Sequence, residues 1–333
     1  MSPIKEYLVV GSGGMARRYV SILKSTIKDS KISCLPMSEN SSINSFKAID
    51  KIYESVEEAL EANPKAVFVA SPAPTHLYYA SAFLKKKIPV LIEKPLSNCR
   101  DDLSKYKAII DSSKDLTAVA YCLRYLPSAQ RFKEMIQNKE HIGQIHKVIV
   151  EVGQYLPDWR PEVDYRNSVS ANKEMGGGAL LELSHEIDYI NWLFGSVEQV
   201  SCHLSNSGFL EIDVEDSVDA IFTLGSLKIN LHMDFLQRAP VRYCKVIGEE
   251  GNLIWDILSD SISFSDHKKN MVIHQRSEFE EDYMYKKMIE NFLKLGYVDS
   301  IPSVEISEAS KVLDIIETMR LSSESGKDLK IIN

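Results

Sequence analysis

The chain has no apolar run approaching the ~20 residues that carry a helix across a bilayer, so no membrane span is read. Its first residues, 1–7, set no basic stretch ahead of an apolar core. No export leader is therefore expected, and the reading is a cytoplasmic protein. A block of lysine and arginine is also missing, and with a net charge of -8 the electrostatic footprint of a nucleic-acid binder is absent. Cysteine is sparse and odd in number. Cys34, Cys99, Cys122, Cys202 and Cys244 are scattered and never form C-x-x-C, which predicts reduced thiols rather than disulfides or a zinc site. Internal repeats, low-complexity tracts and flexible linkers are lacking too.

What is present is an ordinary globular composition, 44% hydrophobic and 26% charged, in 333 residues. That length exceeds what one core usually supports, so two domains are expected, 1–122 and 123–333, with a cleft between them. The last segment of the second is free to pack back on the first. Tyr7-Leu8-Val9-Val10 reads as a strand, and Gly11-Ser12-Gly13-Gly14-Met15-Ala16 follows it directly, ahead of an amphipathic run over 17–27. This is G-x-G-x-x-A between a strand and a helix. Gly11 and Gly13 would let the backbone turn sharply and approach a pyrophosphate, Gly14 and Met15 would open the helix, and Ala16 is small enough for helix–strand packing. The second strand, 31–35, ends in Leu35-Pro36-Met37 with Ser38 and Glu39 beyond, so neither a strand-end carboxylate nor an arginine chooses between NAD and NADP. Ser38 is the candidate there for the adenosine ribose.

The alternation continues with a short helix over 56–61, a buried strand over 66–70, and then Ser71-Pro72-Ala73-Pro74-Thr75-His76. Pro74 suits the first turn of a helix running to about residue 87, with His76 in that turn, in a capping role or facing a ligand. Next comes Pro89-Val90-Leu91-Ile92-Glu93-Lys94-Pro95, an apolar strand that stops in a carboxylate, an amine and a proline ring. A helix over 103–112 and a strand over 116–122 complete the pattern of a doubly wound parallel sheet, an α/β Rossmann domain. Glu93 and Lys94 then lie at its carboxyl edge, where such sheets hold ligands.

The order of these three stretches, the Gly11–Ala16 turn, Ser71 to His76 and Glu93-Lys94-Pro95, resembles the glucose-fructose oxidoreductase, inositol dehydrogenase and MocA family. The resemblance runs to the end of the chain, through 283–292 and 322–331. It implies a second, α+β domain whose open antiparallel sheet backs the active site, and a nicotinamide cofactor that oxidises or reduces a sugar, cyclitol or sugar nucleotide. Ser71, Pro72, His76, Glu93 and Lys94 join the glycine turn as cofactor-side residues.

In the second half, Arg124 stands where the family often has a basic or polar residue facing substrate. The stretch 156–166 holds Trp159, Arg160 and Tyr165 without periodicity, either an ordered surface loop or donors and aromatic faces for an acidic sugar. Three glycines, 176–178, precede a helix expected over 179–194, with Leu180, Leu183, Ile187, Ile190 and Phe194 in one stripe. The opposite side carries Leu181, His185, Asp188 and Trp192. The family's helical histidine in this segment faces the nicotinamide and the reacting carbon together with the lysine of the triplet, so His185 and Lys94 are the implied catalytic pair. Many members have Asp four residues before that histidine. Here the position is Leu181 and the nearest acid is Glu182, which an i,i+3 spacing would bring beside His185. Asp188 joins Arg124 as a substrate-side candidate. A metal bound by Glu182, His185 and Asp188 is disfavoured, since they would spread over about 120° of helix surface.

Alternating segments over 199–206, 217–224, 227–235, 242–247 and 253–256 predict an antiparallel sheet with one face left for another subunit, hence a homo-oligomer, a dimer or tetramer. Helices over 280–295 and 307–323 and a final strand over 329–332 close the chain. The loop at 158–166 and the Ser-His-Glu-Ile-Asp segment resemble family members of bacterial surface-polysaccharide biosynthesis, which implies a nucleotide sugar or acidic sugar. An NAD-dependent glycosidase of the same family and a dinucleotide-binding sensor are the rival readings.

Overall fold

The computed structural model describes residues 5–37, 48–276, 280, 282–294 and 302–332. The chain divides into two compact units: Met1–Cys122 with Asp282–Leu313, and Leu123–Glu281 with Asp314–Asn333.

The first unit opens with β1 (Lys5–Val10), α1 (Gly14–Thr26), β2 (Ser30–Leu35), β3 (Lys51–Ile52), α2 (Val56–Glu61) and β4 (Ala66–Val69). It continues through α3 (His76–Leu84), β5 (Val90–Ile92), α4 (Asp101–Asp111) and β6 (Thr117–Val119). The strands form one parallel sheet in the order β3-β2-β1-β4-β5-β6. All residues of β4, β5 and β6 are buried, as expected when both faces of a parallel sheet are covered. The strand order reverses between β1 and β4, which opens a crevice at the carboxyl ends of the two strands. The last strand is shorter than its apolar run, because 122–125 leaves the sheet in a 3-10 turn.

The second unit contains α5 (Pro127–Asn138), β7 (Ile145–Gly153), α6 (Ala179–Glu182) and α7 (His185–Phe194). Then come β8 (Gln199–Ser205), β9 (Ser217–Leu224), β10 (Leu227–Asp234), β11 (Val241–Gly248), β12 (Asn252–Asp256), β13 (Ser261–Ser265) and β14 (Asn270–Gln275). The helix expected over 179–194 is two helices. Leu183, at φ -97° and ψ 23°, turns the chain between them, and Ser184 precedes the second without a side-chain cap.

The chain returns to the first unit with α8 (Tyr283–Phe292), which packs on α1, and with Val304, whose carbonyl accepts from Val119 N–H at 2.9 Å. It closes through α9 (Ile306–Ser325) and β15 (Leu329–Lys330). β15 pairs with β8 to complete a nine-stranded sheet, β14-β13-β12-β11-β7-β10-β9-β8-β15, antiparallel except where β7 meets β10. Val148, Val150 and Val152 alternate with half-buried Lys147, Ile149 and Glu151 along β7, so one face of this sheet carries the core. Trp255 anchors that core, fully buried between Phe132 and Tyr189 with its indole N–H on Ser128 Oγ at 2.7 Å.

Candidate active site

In the first unit the three expected stretches meet at one sheet edge. Gly11 follows β1 with φ +122°, and a Cβ there would lie 2.4 Å from the carbonyl oxygen of Ala70 at the end of β4. Only glycine lets these two strand ends approach so closely. At Gly13 a Cβ would meet nothing within 4 Å, so the space over the turn is open, and Gly13 caps α1 without any side-chain bond. No acid occupies the first turn of α1. Free amides, open space and no repelling carboxylate are what a dinucleotide pyrophosphate requires. These residues therefore fit the cofactor implied by the sequence. Met15 is half-buried and Ala16 fully buried against the sheet. Ser38 lies outside the described residues.

His76, 2% exposed, ties the loop after β4 to the loop after β5: Nε2 faces Ser71 O at 2.7 Å and Nδ1 faces Pro95 O at 2.8 Å. Burial, aided by the Lys94 charge, pulls its pKa down to about 4 against the two carbonyls, so the ring is neutral at physiological pH. Both of these contacts are to backbone carbonyls, which gives His76 a bracing role. Glu93 is buried, accepts from Lys94 N at 3.1 Å, and accepts a short bond from the Tyr19 hydroxyl. Lys94 itself is half-buried, and its peptide bond to Pro95 is cis.

In the second unit His185 is the first residue of α7 and 9% exposed. Glu182 ends the preceding helix, so the continuous i,i+3 spacing expected for the two does not exist. Three acids were legible in this segment, and the structure distributes them differently. Asp188 takes both arms of the Arg124 guanidinium, Nε to Oδ2 at 2.9 Å and Nη2 to Oδ1 at 2.7 Å, with both side chains buried. Glu186, fully buried, is held the same way by Arg242 of β11 at 2.7 and 2.9 Å. Two bidentate pairs thus clamp the helix that carries His185. Arg124 and Asp188, expected on the substrate side, are engaged with each other.

The glycine turn ahead of α6 is pinned by a residue the sequence did not suggest. Glu215 accepts from Leu180 N at 3.1 Å through its carboxylate, and its carbonyl accepts from Ala179 N at 3.0 Å. Burial raises its pKa. Gly178 has φ +103°, and a Cβ there would fall 2.2 Å from Glu215 Oε1. Gly178 N also donates to Ser170 O at 2.9 Å, which joins the turn to the loop holding Trp159, Arg160 and Tyr165. Trp159 packs edge-on against Phe235, and Tyr165 donates to Leu210 O at 2.9 Å, while Arg160 is exposed. Trp159 and Ser168 line one narrow recess, and among the described residues neither the indole N–H nor the Ser168 hydroxyl has a partner.

Comparison with known proteins bears on both units. Residues 5–121 match the family described as "Oxidoreductase family, NAD-binding Rossmann fold", and residues 129–254 match the "GFO/IDH/MocA C-terminal domain". The chain belongs to the Gfo/Idh/MocA family. Among curated relatives, glucose-6-phosphate 3-dehydrogenase of Bacillus subtilis is 29% identical over 58% of this chain and 55% of its own length. The chain therefore matches only a little over half of that relative. An oxidoreductase domain protein from Kribbella flavida shares the fold with a TM-score of 0.82 at 17% identity, covering 100% of both chains. Myo-inositol 2-dehydrogenase from Lactobacillus plantarum does so at 0.79 and 17% identity, over 99% of this chain and 100% of its own. Among the described residues no cluster of three or more histidine, cysteine, aspartate or glutamate side chains could hold a metal, and no helix is long and apolar enough to cross a membrane.

Proposed function

We propose that this Gfo/Idh/MocA protein is an NAD(P)-dependent dehydrogenase acting on a CH–OH group of an acidic sugar, a sugar phosphate or nucleotide sugar, in the cytoplasm. The observation that carries the reading is the convergence of Gly11, the Ser71 to His76 loop and Glu93-Lys94 at the reversal of strand order in an NAD-binding fold. A bound nicotinamide supplies the hydride acceptor or donor. The chain supplies the rest. Lys94 donates a hydrogen bond to the substrate oxygen and favours negative charge developing there. His185 takes or returns the hydroxyl proton, a task suited to an imidazole. Arg124 and Asp188 act as positioning residues for the helix of His185 rather than as substrate ligands. Exposed Arg160 suits an anionic substituent of the substrate. The 29% identical relative, named as acting on a sugar phosphate, supports that class, and the resemblance to polysaccharide-biosynthesis members supports the nucleotide sugar.

Titration of the purified protein with NADH and NADPH, followed by a turnover screen of glucose 6-phosphate and UDP-sugars with wild type and His185→Ala, tests this. Binding of a dinucleotide, and turnover that falls by about 10²-fold or more in the variant at unchanged dinucleotide affinity, are expected. A folded protein that binds neither dinucleotide would refute it.

We further propose a homo-oligomer built on the open face of the nine-stranded sheet. The pairing register lines up Thr223, Lys228, Lys147 and Ile247 in one row, Ile221, Asn230, Ile149 and Lys245 in the next, and Asp219, His232, Glu151 and Tyr243 in the third. A two-fold axis along the middle row would set Lys147 of one copy over Glu151 of the other.

A further inference from the structure

Tyr19 lies on the inner face of α1, one and a half turns after the glycine turn, and is fully buried. Its ring packs on Phe68 at 5.7 Å, a contact phenylalanine would make equally well. The hydroxyl therefore calls for a separate reason, and the structure gives one: it donates to Glu93 Oε1. The other oxygen of that carboxylate, Oε2, accepts the main-chain N–H of Lys94 at 3.1 Å. A carboxylate that is 6% exposed at the end of an apolar strand is costly unless its oxygens are engaged. One engagement comes from the dinucleotide-binding helix, the other from the backbone of the lysine.

We propose that Tyr19 is a positioning residue for Lys94, acting through Glu93. Its hydroxyl fixes the carboxylate, the carboxylate fixes the turn at residue 94, and the lysine is thereby registered to the helix whose N-terminus meets the cofactor phosphates. This rests on the reading above that Lys94 works beside a bound dinucleotide.

The test labels Lys94 of the full-length protein with pyridoxal 5′-phosphate. The amine condenses with the aldehyde, water leaves, and borohydride reduces the imine to a stable secondary amine. Peptide mass spectrometry then compares Lys94 with exposed Lys86 as an internal standard. In wild type, NADH protects Lys94 and leaves Lys86 unaffected. In Tyr19→Phe the Lys94 to Lys86 labelling ratio is expected to change by about threefold or more, with NADH protection weakened, because small displacements of a positioned group have large effects. General destabilisation would also expose Lys94, so the ratio is read only in a variant whose melting midpoint and circular dichroism match wild type. Glu93→Gln keeps one acceptor oxygen and loses the other, so it reports on the same link should Tyr19→Phe fold poorly. An unchanged ratio and full protection in whichever variant folds would overturn the inference while leaving the dehydrogenase reading intact. Absence of protection in wild type would remove that reading and the inference with it.

Discussion

At His76, two carbonyl oxygens face the two ring nitrogens, yet a neutral imidazole donates through only one of them. The ring is kept neutral by burial, with a folded-state pKa of about 4 against 6.5 when exposed. Because the folded value is the lower, the stabilisation is complete above pH 6.5 and is lost as pH falls from 6.5 towards 4, where the unfolded chain takes up the proton first. The full loss is about 3 kcal/mol. Melting curves across this range should therefore show a steeper acid decline for wild type than for His76→Gln, although the variant melts lower at neutral pH. Parallel declines would mean that His76 does not titrate this way. Residues of this kind divide sharply in what the sequence reveals. Glu93, Lys94 and His76 stand in short motifs whose spacing already points to the sheet edge. Tyr19 and Glu215 were invisible, because their partners lie 74 and 35 residues away and neither type is unusual at its own position.

Among the elements, α7 is the one whose environment could be read least. Its apolar stripe was legible as period 3.6 over 179–194, but the stripe runs on through the break at Leu183 and so conceals it. The partners of its acids were hidden as well. Arg242 reaches Glu186 from a strand 56 residues on, and Arg124 reaches Asp188 from 64 residues back. Glu186 is the more telling of the two, since it is fully buried and Arg242 is the charge that compensates it. Arg242→Ala should destabilise the protein by about 3–5 kcal/mol, the cost of leaving a buried carboxylate without its counter-charge. Replacing the pair together, as Glu186→Met with Arg242→Leu, should restore most of that. Denaturant midpoints of the single and double variants would show it, and a double variant as weak as the single would argue against the account. Strand β13 was also overlooked, because Ile262 and Phe264 alternate with serine over only five residues, too short a period-2 run to stand out.

For the whole molecule, the parallel sheet and the open second sheet followed from the alternation of strands and helices and from period-2 segments. Which face and which register would meet another copy became readable only once the strands were aligned. His232, between Asp219 at 2.7 Å and Asp234 at 3.0 Å, has its pKa raised to about 9 by those carboxylates and so is a cation within the acidic row. Reversing the charge that meets Glu151 of the other copy, with Lys147→Glu, should lower the mass measured by sedimentation equilibrium towards that of one chain. An unchanged mass would exclude this face. The path of the chain carries a different kind of consequence. It leaves the first unit after Cys122, returns at Asp282, and departs again within α9 after Leu313. A premature stop in the stretch between Cys122 and Asp282 would thus damage both units, because α8 and the Val304 edge contact are encoded downstream of a unit they help to complete. In genetic terms the two units are interleaved as four segments, and shuffling the second into another gene would require three junctions rather than one.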